Sequence, residues 1–173
     1  MKKVLFFLFL FFNISFSQDF FATQGIGEQG IRLSTVVGRY TYFTGAKLGY
    51  DYRYLRWLQL SAELFYEHSR IVFSYSHNVS LGFLPKFRLF SAVRDRLTMS
   101  AGIGLYGAWE TIANKNAEEE KNSWLYGFSA HAELDYYISR NTVLFLAGKQ
   151  FVYPNAKNGI WRPFGELGVK FSF

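Results

Sequence analysis

Apolar and polar side chains alternate along most of this chain, and this period of two constrains the fold more than any other feature. From Leu97 to Trp109, the odd positions are large and apolar or small, whereas the even positions are mostly polar or glycine. The same alternation runs through 124–138 and 161–173. A period of two is that of a β-strand with two different faces, and the charges do not recur at the spacing of three or four that a helix would give.

The alternation predicts eight strands, near 30–39, 43–54, 57–68, 77–90, 97–109, 124–138, 142–152 and 161–173. Strands of about ten residues suit a tilted membrane crossing. Tight links near 55–56, 91–96 and 139–141 alternate with links near 40–42, 69–76, 110–123 and 153–160, of which 110–123 is predicted to be the longest. Short turns on one side and an even strand number are typical of outer-membrane proteins. We therefore predict an all-β fold, an eight-stranded antiparallel transmembrane β-barrel over residues 30–173.

The composition agrees with a membrane barrel. Aromatic residues make up 21% of the 173 residues and charged residues only 18%, yet the mean hydropathy is zero, so apolar and polar residues are finely mixed. The apolar content excludes a disordered chain. The absence of cysteine excludes a disulfide framework and the usual zinc-finger and iron–sulfur sites.

The N-terminus has the order of an export signal. Lys2 and Lys3 precede an apolar run from Val4 to Phe12, and Ser15-Phe16-Ser17 resembles a signal-peptidase site. We predict a cleavable signal peptide over 1–17, a periplasmic lead-in over 18–29 and a location in the bacterial outer membrane. The alternative is that the apolar run is a buried N-terminal helix or strand.

Aromatic residues with outward parity fall near the predicted strand ends, where an interfacial girdle belongs. Three tryptophans lie at the predicted extracellular ends, and other rings lie near the opposite rim. The predicted girdle consists of Trp109, Trp124, Trp161, Tyr136, Phe171 and Phe173.

Charged residues take the inward parity, because a charge facing lipid is costly. In an eight-stranded barrel the interior is just wide enough for side chains to fill, so we favour a plugged ionic core over a conducting pore. The predicted hairpin near residue 55 places Lys47 directly opposite Glu63, and the inward face of 142–152 stays open. The predicted interior network contains Arg32, Lys47, Asp51, Arg53, Glu63, Glu67, Lys86, Arg88, Glu133, Asp135, Arg162, Glu166 and Lys170.

Candidate catalytic groups are few. His68-Ser69 and Ser76-His77 lie near one predicted extracellular link, where a lipid-modifying barrel would keep its catalytic groups. A serine nucleophile needs a base that a third group orients. Glu67 cannot orient His68, because neighbouring strand residues point to opposite faces. The sequence therefore predicts a non-enzymatic protein with no catalytic residue, cofactor or metal.

Nucleic-acid binding is not expected either. The formal net charge is +6, but no basic stripe with interleaved aromatics lies on one accessible surface.

The segment 110–123 is predicted to be a polar loop that either binds a partner protein or, equally, is passive and solvated. Its charged residues are Lys115, Glu118, Glu119, Glu120 and Lys121. The expected partners are outer-membrane lipid and other envelope proteins.

Several segments resemble the TraO-type conjugal transfer proteins, outer-membrane barrels encoded by conjugative transposons. The resemblance covers Arg94-Asp95-Arg96-Leu97-Thr98, Gly102 to Leu105, Gly107 to Ile112, Leu125-Tyr126-Gly127, Glu133 to Leu146, Arg162-Pro163-Phe164-Gly165, Gly168 to Phe173 and Gly49-Tyr50-Asp51-Tyr52. It implies a non-enzymatic component of a conjugative DNA-transfer apparatus. The alternatives are an accessory barrel of another outer-membrane transport, secretion or assembly complex and, less favoured, a lipid-modifying enzyme.

Overall fold

Every strand pairs with the next along the chain, and the first pairs with the last, so the sheet closes on itself. The computed structural model describes residues 26–38, 44–71, 74–93, 96–114, 120–156 and 160–173. The predicted eight-stranded antiparallel barrel is confirmed. Its strands are β1 Gln29–Gly38, β2 Thr44–Leu55, β3 Leu58–Ile71, β4 Ser74–Ala92, β5 Leu97–Asn114, β6 Glu120–Tyr137, β7 Thr142–Val152 and β8 Trp161–Ser172.

The alternation of the sequence becomes an outer and an inner face. On β5, Leu105 is 70% exposed whereas Tyr106 is 3% exposed. The outer face is an apolar surface of the kind that meets lipid. Within the described residues, no helix has the length and apolarity needed to cross a membrane. The predicted signal peptide and residues 18–25 of the predicted lead-in lie outside those residues.

The hairpin between β2 and β3 differs from the prediction. Arg56 and Trp57 form its turn, and a register shift lies between Arg53 and Leu55. Lys47 is therefore opposite Phe65, and Glu63 is opposite Gly49. The prediction that Lys47 lies directly opposite Glu63 is wrong, because it assumed a tighter turn without the bulge.

Strands on one side of the barrel are much longer than on the other. β4, β5 and β6 have 19, 18 and 18 residues, whereas β1, β2, β7 and β8 have 10 to 12. We call the end with the links 56–57, 93–96 and 138–141 the turn end and the opposite end the loop end. The paired strands extend to the turn end all round the barrel, so the extra residues of the long strands lie at the loop end.

We call this raised part the upper wall; it comprises 68–71, 74–78, 109–114 and 120–126. It corrects two predictions, since β3 and β4 pair up to Ile71 and Ser74, and β5 and β6 pair up to Ala113 and Glu120. Most of the predicted links 69–76 and 110–123 is therefore strand. In the part of the upper wall beyond the girdle residues Trp109 and Trp124, no lipid requires an apolar outer face, so a polar strand there has the composition of a loop.

Candidate functional site

A continuous ionic network fills the lumen in its turn-end and middle parts. It joins five cations to five carboxylates, so its formal charges balance. All ten residues are at most 7% exposed. The cations are Arg32, Lys47, Lys86, Lys149 and Lys170, and the carboxylates are Asp51, Glu63, Glu133, Asp135 and Glu166.

Glu63 lies at the centre of this network. Its carboxylate contacts the Arg32 guanidinium at 2.8 Å and the Lys47 ammonium at 3.5 Å, and it also contacts Lys149. The Tyr106 hydroxyl donates to it at 2.6 Å. A buried ion pair is tolerated when further hydrogen bonds satisfy its remaining groups, and removing one partner leaves an uncompensated charge. Glu63 therefore holds together cations from three strands.

Lys47 pairs mainly with Glu166, at 2.6 Å, and more distantly with Glu63. The structure thus brings the predicted Lys47–Glu63 partners together although they are not directly opposite. A long side chain on a strand also reaches the diagonal position of its neighbour.

Two buried charged residues of the lumen lie outside the predicted network. Lys149 is 3% exposed and contacts both Glu63 and Glu166. The inward face of β7 is now assigned, because Val143, Phe145, Ala147, Lys149 and Phe151 are all buried. Lys149 was the available signal, since a charge on that strand has to avoid lipid. The second is Glu110, which is 2% exposed.

Phe145 explains why an inward strand face can look apolar. Its ring lies beneath two cations of the network, 5.1 Å from the Arg32 guanidinium carbon and 5.1 Å from the Lys170 nitrogen. Such cation–π contacts let an aromatic ring share a lumen with charges.

The remaining predicted lumen residues lie outside this network. Arg53 and Arg88 are half-buried and line a recess at the turn end, and Arg53 contacts Glu28 at 3.3 Å. Glu67 is 4% exposed and Arg162 is 8% exposed, and both lie toward the loop end.

An aromatic layer closes the lumen above the ionic network. Phe151 stacks near Phe65, Phe164 and Tyr153 with ring centroids 4.8 to 6.2 Å apart, and its edge meets Tyr106 at 4.6 Å. All five rings are at most 6% exposed. The Lys47 ammonium lies 5.1 Å from the Phe164 ring, so the two layers are in direct contact.

A second, smaller polar group lies above the aromatic layer. Arg162 contacts the Glu110 carboxylate at 2.8 Å and lies 5.3 Å from the centre of the Tyr153 ring. The Ser76 hydroxyl donates to the same carboxylate at 3.2 Å. Ionic, aromatic and polar layers therefore succeed one another along the lumen.

The candidate catalytic groups are separated by the barrel wall. Ser69 and Ser76 are each 3% exposed on the inner face, together with Glu67. His77 points outward, where its Nδ1 is 2.8 Å from the Tyr66 hydroxyl. His68 stacks on Tyr75 and lies 4.8 Å from the His77 ring. Within the described residues, no group of three or more histidine and acidic side chains could hold a metal ion.

The predicted girdle residues all point outward. Trp109 and Trp124 meet edge to face at 4.9 Å, and both lie at the base of the upper wall. Trp57 is a further exposed ring, stacked on Phe87 at the turn end. All six predicted girdle residues are at least 39% exposed: Trp109, Trp124, Trp161, Tyr136, Phe171 and Phe173.

The upper wall has an unusual edge on β6. Pairing of β6 with β7 begins at Phe128, and the residues above it pair with β5 alone among the described strands. The side-chain amide of Asn155 bonds to this edge, accepting from the Tyr126 N–H at 3.1 Å and donating to the Trp124 carbonyl at 2.7 Å.

The predicted partner loop is divided by the structure. Lys115, Glu118 and Glu119 lie outside the described residues. Glu120 and Lys121 begin β6 instead of lying in a loop. Lys121 is exposed at the top of the upper wall.

Solved structures of known proteins share this geometry. The N-terminal barrel domain of OprF from Pseudomonas aeruginosa is 20% identical with a TM-score of 0.62, covering 87% of this chain and all of that one. Neisserial surface protein A is 12% identical with a TM-score of 0.61, covering 84% of this chain and 95% of that one. Ail, the attachment invasion locus protein of Yersinia pestis, is 14% identical with a TM-score of 0.54, covering 86% of this chain and all of that one.

This chain has the fold of an eight-stranded outer-membrane barrel. No family model and no curated protein matches it. At this level of identity the likeness concerns the fold, and a fold of this kind supports many functions.

Proposed function

We propose that this chain is a non-enzymatic outer-membrane barrel that serves as a component of a conjugative DNA-transfer apparatus. The resemblance to TraO-type proteins supports the role in conjugative DNA transfer. The observation that carries the mode of action is the filled lumen, in which the ionic network and the aromatic layer occupy the cross-section. A barrel filled in this way works through its outer surfaces and its loop end, with envelope proteins as partners.

In this proposal the outer face of the barrel and its girdle hold the protein in the outer membrane. The signal peptide directs export, and the girdle sets the depth of the barrel in outer-membrane lipid. The upper wall rises from the girdle into the space outside the lipid, where it is accessible to other envelope proteins. DNA itself is not a direct ligand in this proposal.

The test is conjugation. Deleting the gene from the bacterium that encodes it lowers the transfer frequency, and the full-length chain restores it. Unchanged transfer in the deletion strain would refute the conjugative role and favour an accessory barrel of another envelope complex.

The non-enzymatic part of the proposal has its own test. Because Ser69 and Ser76 are inside and His77 is outside, replacing His68, Ser69 and His77 by alanine leaves the lipid A of the host unchanged. A change in the lipid A mass spectrum that depends on these residues would support a lipid-modifying enzyme instead.

A further inference from the structure

The loop-end part of β6 pairs along one edge only among the described residues. Residues 120–127 pair with β5 on one side, whereas the first residue that pairs with β7 is Phe128, opposite Val152. The chain leaves the ladder because Pro154, two residues after Val152, has no N–H to donate. An unpaired edge of this kind is a template for another strand.

The contacts of Asn155 show which main-chain N–H and C=O groups of β6 point to this edge. Its amide contacts the Trp124 carbonyl and the Tyr126 N–H, so these groups point away from β5. Main-chain groups of alternate residues in an antiparallel strand point to the same side. The N–H and C=O of Asn122 therefore point to the open edge, where they have no partner among the described residues.

The Asn155 side-chain amide lies where a peptide group of a strand paired with β6 would lie. Continuing the register from Phe128 and Val152 puts residue 155 opposite Leu125. Its amide offers one acceptor and one donor, as a peptide unit of a neighbouring strand would. The edge thus already binds an amide group, and the bound group is a side chain that can rotate away.

We infer that this edge receives an extended segment of a partner polypeptide, which adds to β6 as a further strand and displaces the Asn155 amide. Main-chain hydrogen bonds to Asn122, Trp124 and Tyr126 hold it, as in strand addition generally. Trp124 and Tyr126 are 68% and 65% exposed on the outer face. They would contact alternate side chains of the added strand, which favours apolar residues there. This inference rests on the proposed docking function and names the form of the partner.

The experiment uses the full-length chain in lipid nanodiscs and phage-displayed short peptides as the probe. The variant Asn122→Pro removes the edge-facing N–H, and proline is tolerated on an edge strand. Asn122→Ala loses the same side chain, including its 2.8 Å contact with Thr111, but keeps the N–H, so it is the matched control. The difference in electrophoretic mobility between heated and unheated samples shows that each variant is folded.

We expect selected peptides to bind roughly tenfold more weakly to Asn122→Pro, since one buried hydrogen bond is lost. Asn122→Ala should bind as the parent does, and Asn155→Ala should bind more tightly because the competing amide is gone. Equal binding to the proline variant, or failure to select any peptide that depends on this edge, would overturn the inference.

The two proposals fail separately. Conjugation that requires the barrel but is unaffected by Asn122→Pro would reject the edge and keep the proposed function. Peptide binding at the edge in a chain whose deletion leaves conjugation intact would keep the edge and reject the conjugative role.

Discussion

The body of the barrel and the upper wall are formed by the same strands under different constraints. In the body each residue faces either lipid or a lumen filled by charges and rings, so its polarity and size are both fixed. In the upper wall β6 pairs with β5 alone among the described strands, and Asn155 covers part of its other edge. The body therefore has little freedom for recognition, whereas the upper wall offers exposed main chain.

The largest expected effect comes from removing a central charge of the body. Glu63→Gln leaves Arg32, Lys47 and Lys149 short of a buried counter-charge. We expect the free energy of unfolding to fall by about 3–5 kcal/mol, as for other broken buried pairs. Urea unfolding in lipid, followed by the heat-dependent gel shift, measures this.

Glu28→Gln is the comparison, because Glu28 contacts Arg53 at the turn end with 18% of its side chain exposed, whereas the Glu63 side chain is fully buried. It removes one ion pair at 3.3 Å instead of three, so it should cost clearly less than Glu63→Gln. A similar small loss for Glu63→Gln would mean that the lumen is hydrated and weakly coupled.

Packing of the aromatic layer gives the next effect. A Cβ at Gly82 would overlap the Tyr106 ring directly across the strand pair, whereas a Cβ at Gly107 meets nothing within 4 Å. Gly82→Ala should therefore lower the free energy of unfolding by about 1–3 kcal/mol, and Gly107→Ala should be nearly neutral. Equal effects of the two substitutions would argue against close contact between this ring and the wall.

The sequence predicts the body better than the upper wall. In the body the strands and their faces are predictable, because the lipid-facing and lumen-facing side chains must have opposite polarities. β7 was ambiguous because Phe145 and Val143 are apolar inward residues, and Phe145 is stabilised there by cations from β1 and β8. The upper wall was predicted as loop, since strand residues such as Asn122 have no lipid to face.

The hairpin register shows a third limit. Parity placed Lys47 and Glu63 on the inner face, but parity does not reveal a bulge near Arg53 or choose among several carboxylates within reach. That choice depends on side chains from β7 and β8 that are distant in sequence.

Double-mutant cycles sharpen this point. The coupling of Lys47→Met with Glu166→Gln should be about 1–2 kcal/mol and should exceed that with Glu63→Gln, because the contacts are 2.6 and 3.5 Å. The reverse order would mean that the hairpin pairs without the bulge.

The smallest effect on stability is expected in the upper wall. Replacing 113–122 with a short Gly/Ser turn removes exposed strand and no member of the ionic network. The free energy of unfolding should change by no more than about 0.5 kcal/mol, as for surface changes elsewhere. A loss as large as that of Gly82→Ala would show that the upper wall supports the body.

Conjugal transfer by cells carrying this shortened upper wall tests most directly whether the body is a scaffold and the upper wall the recognition element. The barrel should insert and keep its heat-dependent gel shift, while the transfer frequency falls toward that of the deletion strain. Normal transfer with normal insertion would contradict the account.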